Sequence, residues 1–303
     1  MSLFLAQLLN GVQFGMLLFL LAAGLTLVFG IMNFVHLSHG AFYMLGAYFA
    51  AATLARTDSF LLAGLAGVAG AMLLAVAVER LALRRLYARD HLDQVLATLG
   101  LIMFFNEVVR MVWGAQPLFA APPAWLAGAV QFGEFSYPAY RLAIIAAGLA
   151  VAAGIHLLIH RTRAGMLVRA SATHPDTVAA LGVNARLLNT ALFAVGAGLA
   201  ALAGWLVGPT VAVQSGMGDN VLILALVVIV VGGIGSVRGA FLAALLVGLV
   251  DTMGRAYMPQ LTRALFERSV ADAAGPALAS MLIYLCMALI LAVRPGGLFP
   301  ARR

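Results

Sequence analysis

Lysine is absent from the 303 residues, so all 18 basic side chains are arginine. That absence excludes a Walker A phosphate loop, whose lysine reaches the β- and γ-phosphates, and Schiff-base catalysis through a lysine amine. If ATP drives this protein, another chain has to bind it. Cysteine occurs once, at Cys286, which excludes a disulfide framework within the chain and any cysteine-based metal centre. Charge is scarce as well, at 10% of residues against 64% hydrophobic residues, with a mean hydropathy of +1.04. A soluble core of this length could not bury so much apolar material, so lipid is the expected solvent. The sequence also lacks HExxH, GxSxG, an acid pair deep in an apolar run and an arginine-rich voltage-sensor helix, and no enzymatic activity is expected.

What is present is a succession of apolar windows, nearly free of charge, at about 5–31, 39–55, 60–79, 95–113, 141–159, 188–208, 220–234, 239–256 and 277–293. They predict an all-α polytopic bundle of eight or nine transmembrane helices, forming one membrane domain over residues 1–303. The connections between 31 and 39 and between 234 and 239 are too short and apolar for ordinary loops, which leaves the number of spans open. The N-terminus has no positive region before its first apolar stretch and reads as a retained span rather than a signal peptide.

The net charge of +7 is read as topogenic rather than as a sign of nucleic-acid binding. One set of connections carries Arg80, Arg84, Arg85, Arg89, Arg161, Arg163, Arg169, Arg186, Arg238, Arg294, Arg302 and Arg303. The other carries Arg56, Arg110, Arg141, Arg255, Arg263 and Arg268 together with seven acids, from Asp58 and Glu107 through Glu134 to Asp272. The first face is therefore expected in the cytoplasm, with the N-terminus outside and the C-terminus inside. Leu261, Leu265 and Phe266 recur at helical spacing beside the outer arginines and predict an amphipathic external segment.

Two connections are long. Residues 114–140, with Pro122, Pro123, Trp125 and Tyr137, predict an external loop with interfacial aromatics. Residues 160–187 are basic and contain a short helix, with Pro175 in its first turn, Asp176 at its positive end and Gly182 just beyond its C-cap. Within the spans, Asn33, His36 and His39 lie in one break, and Gly232, Gly233 and Gly235 lie in another. HGAF at 39–42 aligns with RGAF at 238–241. Paired interruptions suggest an internal repeat around a translocation path. Two tight turns between ordinary helices would produce the same pattern. Asn106 and Glu107 are further path candidates, although Glu107 and Arg110 are spaced to pair on one helix face near the interface. His36 and His39 lack further ligands at sensible spacing, so no metal site is expected. The glycine clusters at 64–70 and 196–204 predict close helix packing within the subunit or at a subunit interface.

The runs Gly24–Tyr48 (GLTLVFGIMNFVHLSHGAFYMLGAY), Thr162–Ala170 (TRAGMLVRA), Ala179–Asn184 (AALGVN), Ala197–Gly204 (AGLAALAG) and Gly232–Phe241 (GGIGSVRGAF) occur in the same order as in one family. The chain resembles the LivH-type permease subunits of branched-chain amino acid ABC importers over essentially its whole length. It departs from the family pattern at 35–37 and 171–177. The resemblance implies inward translocation of branched-chain or related amino acids, or of similar small polar solutes, across a bacterial inner membrane. It also implies a second, homologous permease subunit, cytoplasmic ATPase subunits that bind the ATP, and a periplasmic solute-binding protein, with no cofactor on this chain. Gly165, Arg169, Ala170, Asp176, Ala180 and Gly182 would then belong to the ATPase-docking loop. The alternative is a self-sufficient channel or secondary carrier using Glu107, Asp251 and the two histidines.

Overall fold

The computed structural model describes residues 2–32, 34, 36–133, 135–173 and 175–299. Eleven α-helices, two short 3-10 turns at Leu83–Leu86 and Ala124–Leu126 and one small hairpin make up the regular structure of the described chain. The helices are α1 (Ser2–Met32), α2 (His39–Thr57), α3 (Phe60–Leu81), α4 (His91–Trp113), α5 (Ala139–Arg161), α6 (Arg163–Thr173), α7 (Pro175–Ala180), α8 (Ala185–Val207), α9 (Met217–Gly232), α10 (Val237–Leu265) and α11 (Arg268–Val293). Every predicted window falls on a helix. Seven of these helices are long and apolar enough to cross a membrane. The other two windows fall on α2, with 19 residues, and α9, with 16. The chain is an all-α polytopic membrane protein, and its two shorter helices lie inside the bundle.

Helix α1 is apolar all round and is buried on nearly every side from Met16 to Val28, as expected of a helix at the centre rather than the rim. It runs antiparallel to α10, where the small pair Gly11 and Gly15 faces Ala244 and Gly248. A Cβ on Gly15 would lie 2.8 Å from the Ala244 carbonyl oxygen. Close backbone approach of this kind replaces hydrophobic burial as the packing force in lipid. The glycine cluster on α8 works in the same way: Gly196 meets Gly24 of α1, and Gly204 meets the Tyr43 backbone of α2. Both predicted clusters thus make contacts within this subunit. Helices α3, α4, α5 and α11 lie outside this core and turn leucines such as Leu73, Leu96, Leu149 and Leu289 outward, the surface expected against acyl chains.

Side-chain caps set several helix starts. Ser59, Asp90, Asn184 and Ser236 accept backbone N–H bonds from Leu62, Asp93, Leu187 and Gly239 at 3.0–3.4 Å. In the 114–140 connection, β1 (Ala129–Phe132) pairs antiparallel with β2 (Phe135–Pro138). A bridge from Leu118 to Val213 ties this connection to the segment that follows α8. The outer amphipathic segment is the end of α10, which continues through Pro259 and leaves Leu261 and Leu265 exposed.

Candidate functional site: a helix crossing inside the bundle

The chain leaves α1 at Met32 and re-enters the bundle before α2 begins. His39, the first residue of α2, lies beside Gly24 of α1, where a Cβ would sit 2.9 Å from its Nε2. Eight residues separate Gly24 from the end of α1, so α2 starts about 12 Å inside the bundle. Helix α9 also starts inside: a Cβ on Gly40 would lie 2.5 Å from the Gly218 carbonyl oxygen. The amino ends of two helices therefore meet backbone to backbone. Neither start has a side-chain cap, at Ser38 or at Gly216; the α2 start leaves its positive helix-end potential at this interior point, whereas Asp219 in the first turn of α9 offsets that of α9.

Polar groups surround this crossing. His36 and His39 are both buried, with ring centroids 5.4 Å apart, and the His36 ring also lies 4.7 Å from Phe193 of α8. His36 Nε2 shares a hydrogen bond of 2.8 Å with Ser38 Oγ. His36 Nδ1 has no hydrogen-bond partner among the described residues, and the His39 ring reaches only the Leu21 backbone of α1. Helix α4 contributes a polar stripe. Thr98 Oγ1 accepts from the Leu37 backbone N–H at 3.3 Å, and two turns further on Asn106 Nδ2 donates to Asp219 Oδ2 at 3.2 Å. Ser215 Oγ donates to the Asn106 carbonyl at 3.0 Å. Asn106 Oδ1 and Asp219 Oδ1 are buried and unpartnered. Leaving a buried polar atom unpaired costs about 1–3 kcal/mol, which marks this region as built for something other than stability.

The predicted path residues separate into three groups. His36, His39 and Asn106 converge on the crossing. Glu107 turns outward and pairs with Arg110 at 3.0 Å, at side-chain exposures of 64% and 53%. Gly232, Gly233 and Gly235 form a hairpin turn rather than a second interior break: Gly232 packs on Gly239, Gly235 packs on Gly30, and the chain end covers α9 through Leu298 and Phe299 N–H bonds to the Val231 and Gly232 carbonyls at 2.8 and 3.0 Å. The counterpart of Gly40 in space is Gly218, not the RGAF segment. Asn33 and the side chain of Asp176 lie outside what is described. Asp251, the interior acid of α10, is neutralised by Arg255 at 2.8 Å.

At the arginine-rich end, the 160–187 connection forms two helices instead of one. Thr162 Oγ1 accepts from the Gly165 N–H at 3.0 Å and starts α6, while the Leu158 and Ile159 carbonyls fill the space a side chain at Gly165 would need. Val168 and Val178 bury one face of the pair, and Met166, Arg169, Ala180 and Leu181 are exposed or half-buried at its other face. Helix α7 ends in a Schellman arrangement, with Gly182 at φ 81° and the Val183 N–H on the Val178 carbonyl at 3.3 Å.

Sequence reasoning missed the most buried charge. Glu79, at the end of α3, is fully buried and accepts from Arg84 through two contacts of 3.4 Å, from Thr190 Oγ1 of α8 at 2.8 Å and from Tyr87 OH at 3.2 Å. Burial, reinforced by that carboxylate, pushes the Tyr87 phenol above its ordinary value and keeps it a donor. The available signal was an acid and an arginine five residues apart at a span end, which reads equally well as a solvated pair.

Residues 7–291 match the family described as the permease component of the branched-chain amino acid transport system. The chain belongs to this permease family. It is 31% identical over 310 residues to the high-affinity branched-chain amino acid transport system permease protein BraD of Pseudomonas aeruginosa, covering 97% of this chain and 95% of that one. It is 29% identical over 275 residues to the LivH permease protein of Salmonella typhimurium, covering 84% and 87%. A probable LivH permease protein of Methanocaldococcus jannaschii is 22% identical over 251 residues. No solved structure matches. For a transport permease, helix starts meeting at depth beside unpaired polar atoms are the feature of interest, because irregular backbone inside a membrane protein survives only where protein buries it or where it lines a water-filled cavity.

Proposed function

We propose that this permease carries branched-chain or related amino acids inward across a bacterial inner membrane, through a route that passes the α2–α9 crossing. The observation that carries the reading is the meeting of two uncapped helix starts at Gly40 and Gly218, flanked by unpartnered atoms of His36, Asn106 and Asp219. Helix amino ends favour a carboxylate, and free carboxylate and amide oxygens favour an ammonium, so the two poles suit a zwitterion.

The energy source lies on partner ATPases that bind the ATP, and this chain works beside a second permease subunit and below a periplasmic solute-binding protein. The ATPases dock on the α6–α7 connection that holds Gly165, Arg169, Ala170, Asp176, Ala180 and Gly182, of which Arg169, Ala180 and Gly182 are exposed, with the N-terminus outside and the C-terminus in the cytoplasm. The excess of arginine on that end supports the orientation. From the docking face the Thr190–Glu79 contact leads into α3, so displacement of α7 and the start of α8 is transmitted to the bundle. A self-sufficient ion-coupled carrier finds less support, because Asp251 and Glu107 are each neutralised by an arginine on the same helix.

Uptake of radiolabelled leucine by the reconstituted complex tests the route. Asp219→Asn and His39→Phe variants that assemble normally should lose most transport, and full uptake by both would sink the assignment of the crossing.

A further inference from the structure

Away from the crossing, a cavity of about 320 Å³ opens between α1, α5 and α10 at the arginine-rich end. Its walls are graded. Phe19, Phe241 and Leu242 line the part nearer the middle of the helices, and His156, His160 and Arg238 line the part nearer their ends. Among the described residues, none that lines it is acidic. The two imidazoles stack with centroids 4.4 Å apart, and His160 Nδ1 is held against the His156 carbonyl at 3.0 Å, which leaves Nε2 directed elsewhere. Arg238 is exposed and forms no ion pair among the described residues. Leu242, in the wall of the cavity, is 44% exposed, so the cavity opens there onto the apolar outer surface.

A cleft that is apolar toward the bilayer centre, cationic toward the headgroup level and open to the side has the polarity profile of a phospholipid. We infer that it is a binding site for an anionic glycerophospholipid of the leaflet at the arginine-rich face, with the phosphate beside Arg238 and His160 and an acyl chain along Phe19 and Phe241. Basic clefts between helices at the cytoplasmic side are suited to such headgroups, and a guanidinium is matched in shape and charge to a phosphodiester. Neutral lipids lack the net charge that Arg238 leaves uncompensated. A second permease subunit seated on the same face would exclude the lipid, and that is the competing outcome.

The test is native mass spectrometry of the full-length chain in detergent, titrated with dioleoyl phosphatidylglycerol or dioleoyl phosphatidylcholine. Wild type should retain phosphatidylglycerol about fivefold or more over phosphatidylcholine, on the order of one basic side chain near a headgroup. Arg238→Gln with His160→Gln should abolish the preference, Arg238→Lys should restore most of it, and Arg89→Gln, an exposed arginine on the same end but outside the cavity, should leave it unchanged. Monodispersity by gel filtration shows that each variant remains folded. Equal retention of both lipids, an equal loss in Arg89→Gln, or competition by soluble glycerol 3-phosphate as effective as by the intact lipid would each overturn the site. So would a cross-link from position 238 to a second permease subunit that forms as readily with lipid present.

Discussion

Replacing Arg84 with alanine removes the only cation, among the described residues, paired with a carboxylate that has no exposure of its own. Breaking a buried pair in this way costs about 3–5 kcal/mol when the remaining charge has no other partner. Here the cost is smaller. Arg84 is itself 37% exposed and its contacts are long at 3.4 Å, so part of the attraction is already screened. The Thr190 and Tyr87 hydroxyls remain on the carboxylate and retain a share of its hydrogen bonding. The expected loss is about 2 kcal/mol, or roughly 5 °C in Tm for a chain of this size. Removing the other partner should cost less, because after Glu79→Met the Arg84 side chain can turn to solvent and the buried site becomes apolar. Cys286 is the only cysteine and is half-buried, so a thiol-reactive fluorophore reports unfolding of the purified variants directly. Arg84→Ala should melt below Glu79→Met. The reverse order, or an unchanged Tm for Arg84→Ala, would refute the account of Glu79 as a charge dependent on its arginine.

Three further outcomes follow from the packing and the loop. Gly15→Leu should prevent accumulation of folded protein, since even a Cβ would lie 2.8 Å from the Ala244 carbonyl; membrane yield and gel filtration check this. Gly182→Ala places a side chain at φ 81° and should cost about 1 kcal/mol without abolishing assembly, visible as a small fall in Tm. Arg169→Glu should reduce co-purification of the ATPase subunits and transport-coupled ATP hydrolysis several-fold while the Tm stays within a degree or two.

The apolar windows carried most of the fold, because a helix in lipid has to satisfy its own backbone and so declares itself by length and composition. Pro175 and Gly182 likewise announced the ends of α7 through backbone chemistry that acts locally. The rest depends on distance in space. HGAF and RGAF match as strings, yet Gly239 packs back on Gly232 across a turn while Gly40 meets Gly218, a residue outside the matched string. Helix α6 was hidden because its cap is a threonine hydroxyl on a glycine N–H within a basic stretch that reads as connection. Asn106 and Glu107 are adjacent, and only their positions around α4 decide that one meets Asp219 and the other meets the outside. Glu79 went unnoticed because Thr190, its partner on α8, is 111 residues away.

The central claim is that this chain is a conduit moved by ATPases on other subunits. Leucine uptake into proteoliposomes containing this chain alone, compared with proteoliposomes containing the chain with its second permease, ATPases and binding protein, measures it most directly. The account predicts uptake only from the assembled complex and only with ATP supplied on the ATPase side. Concentrative uptake by the chain alone, without ATP or partners, would contradict it.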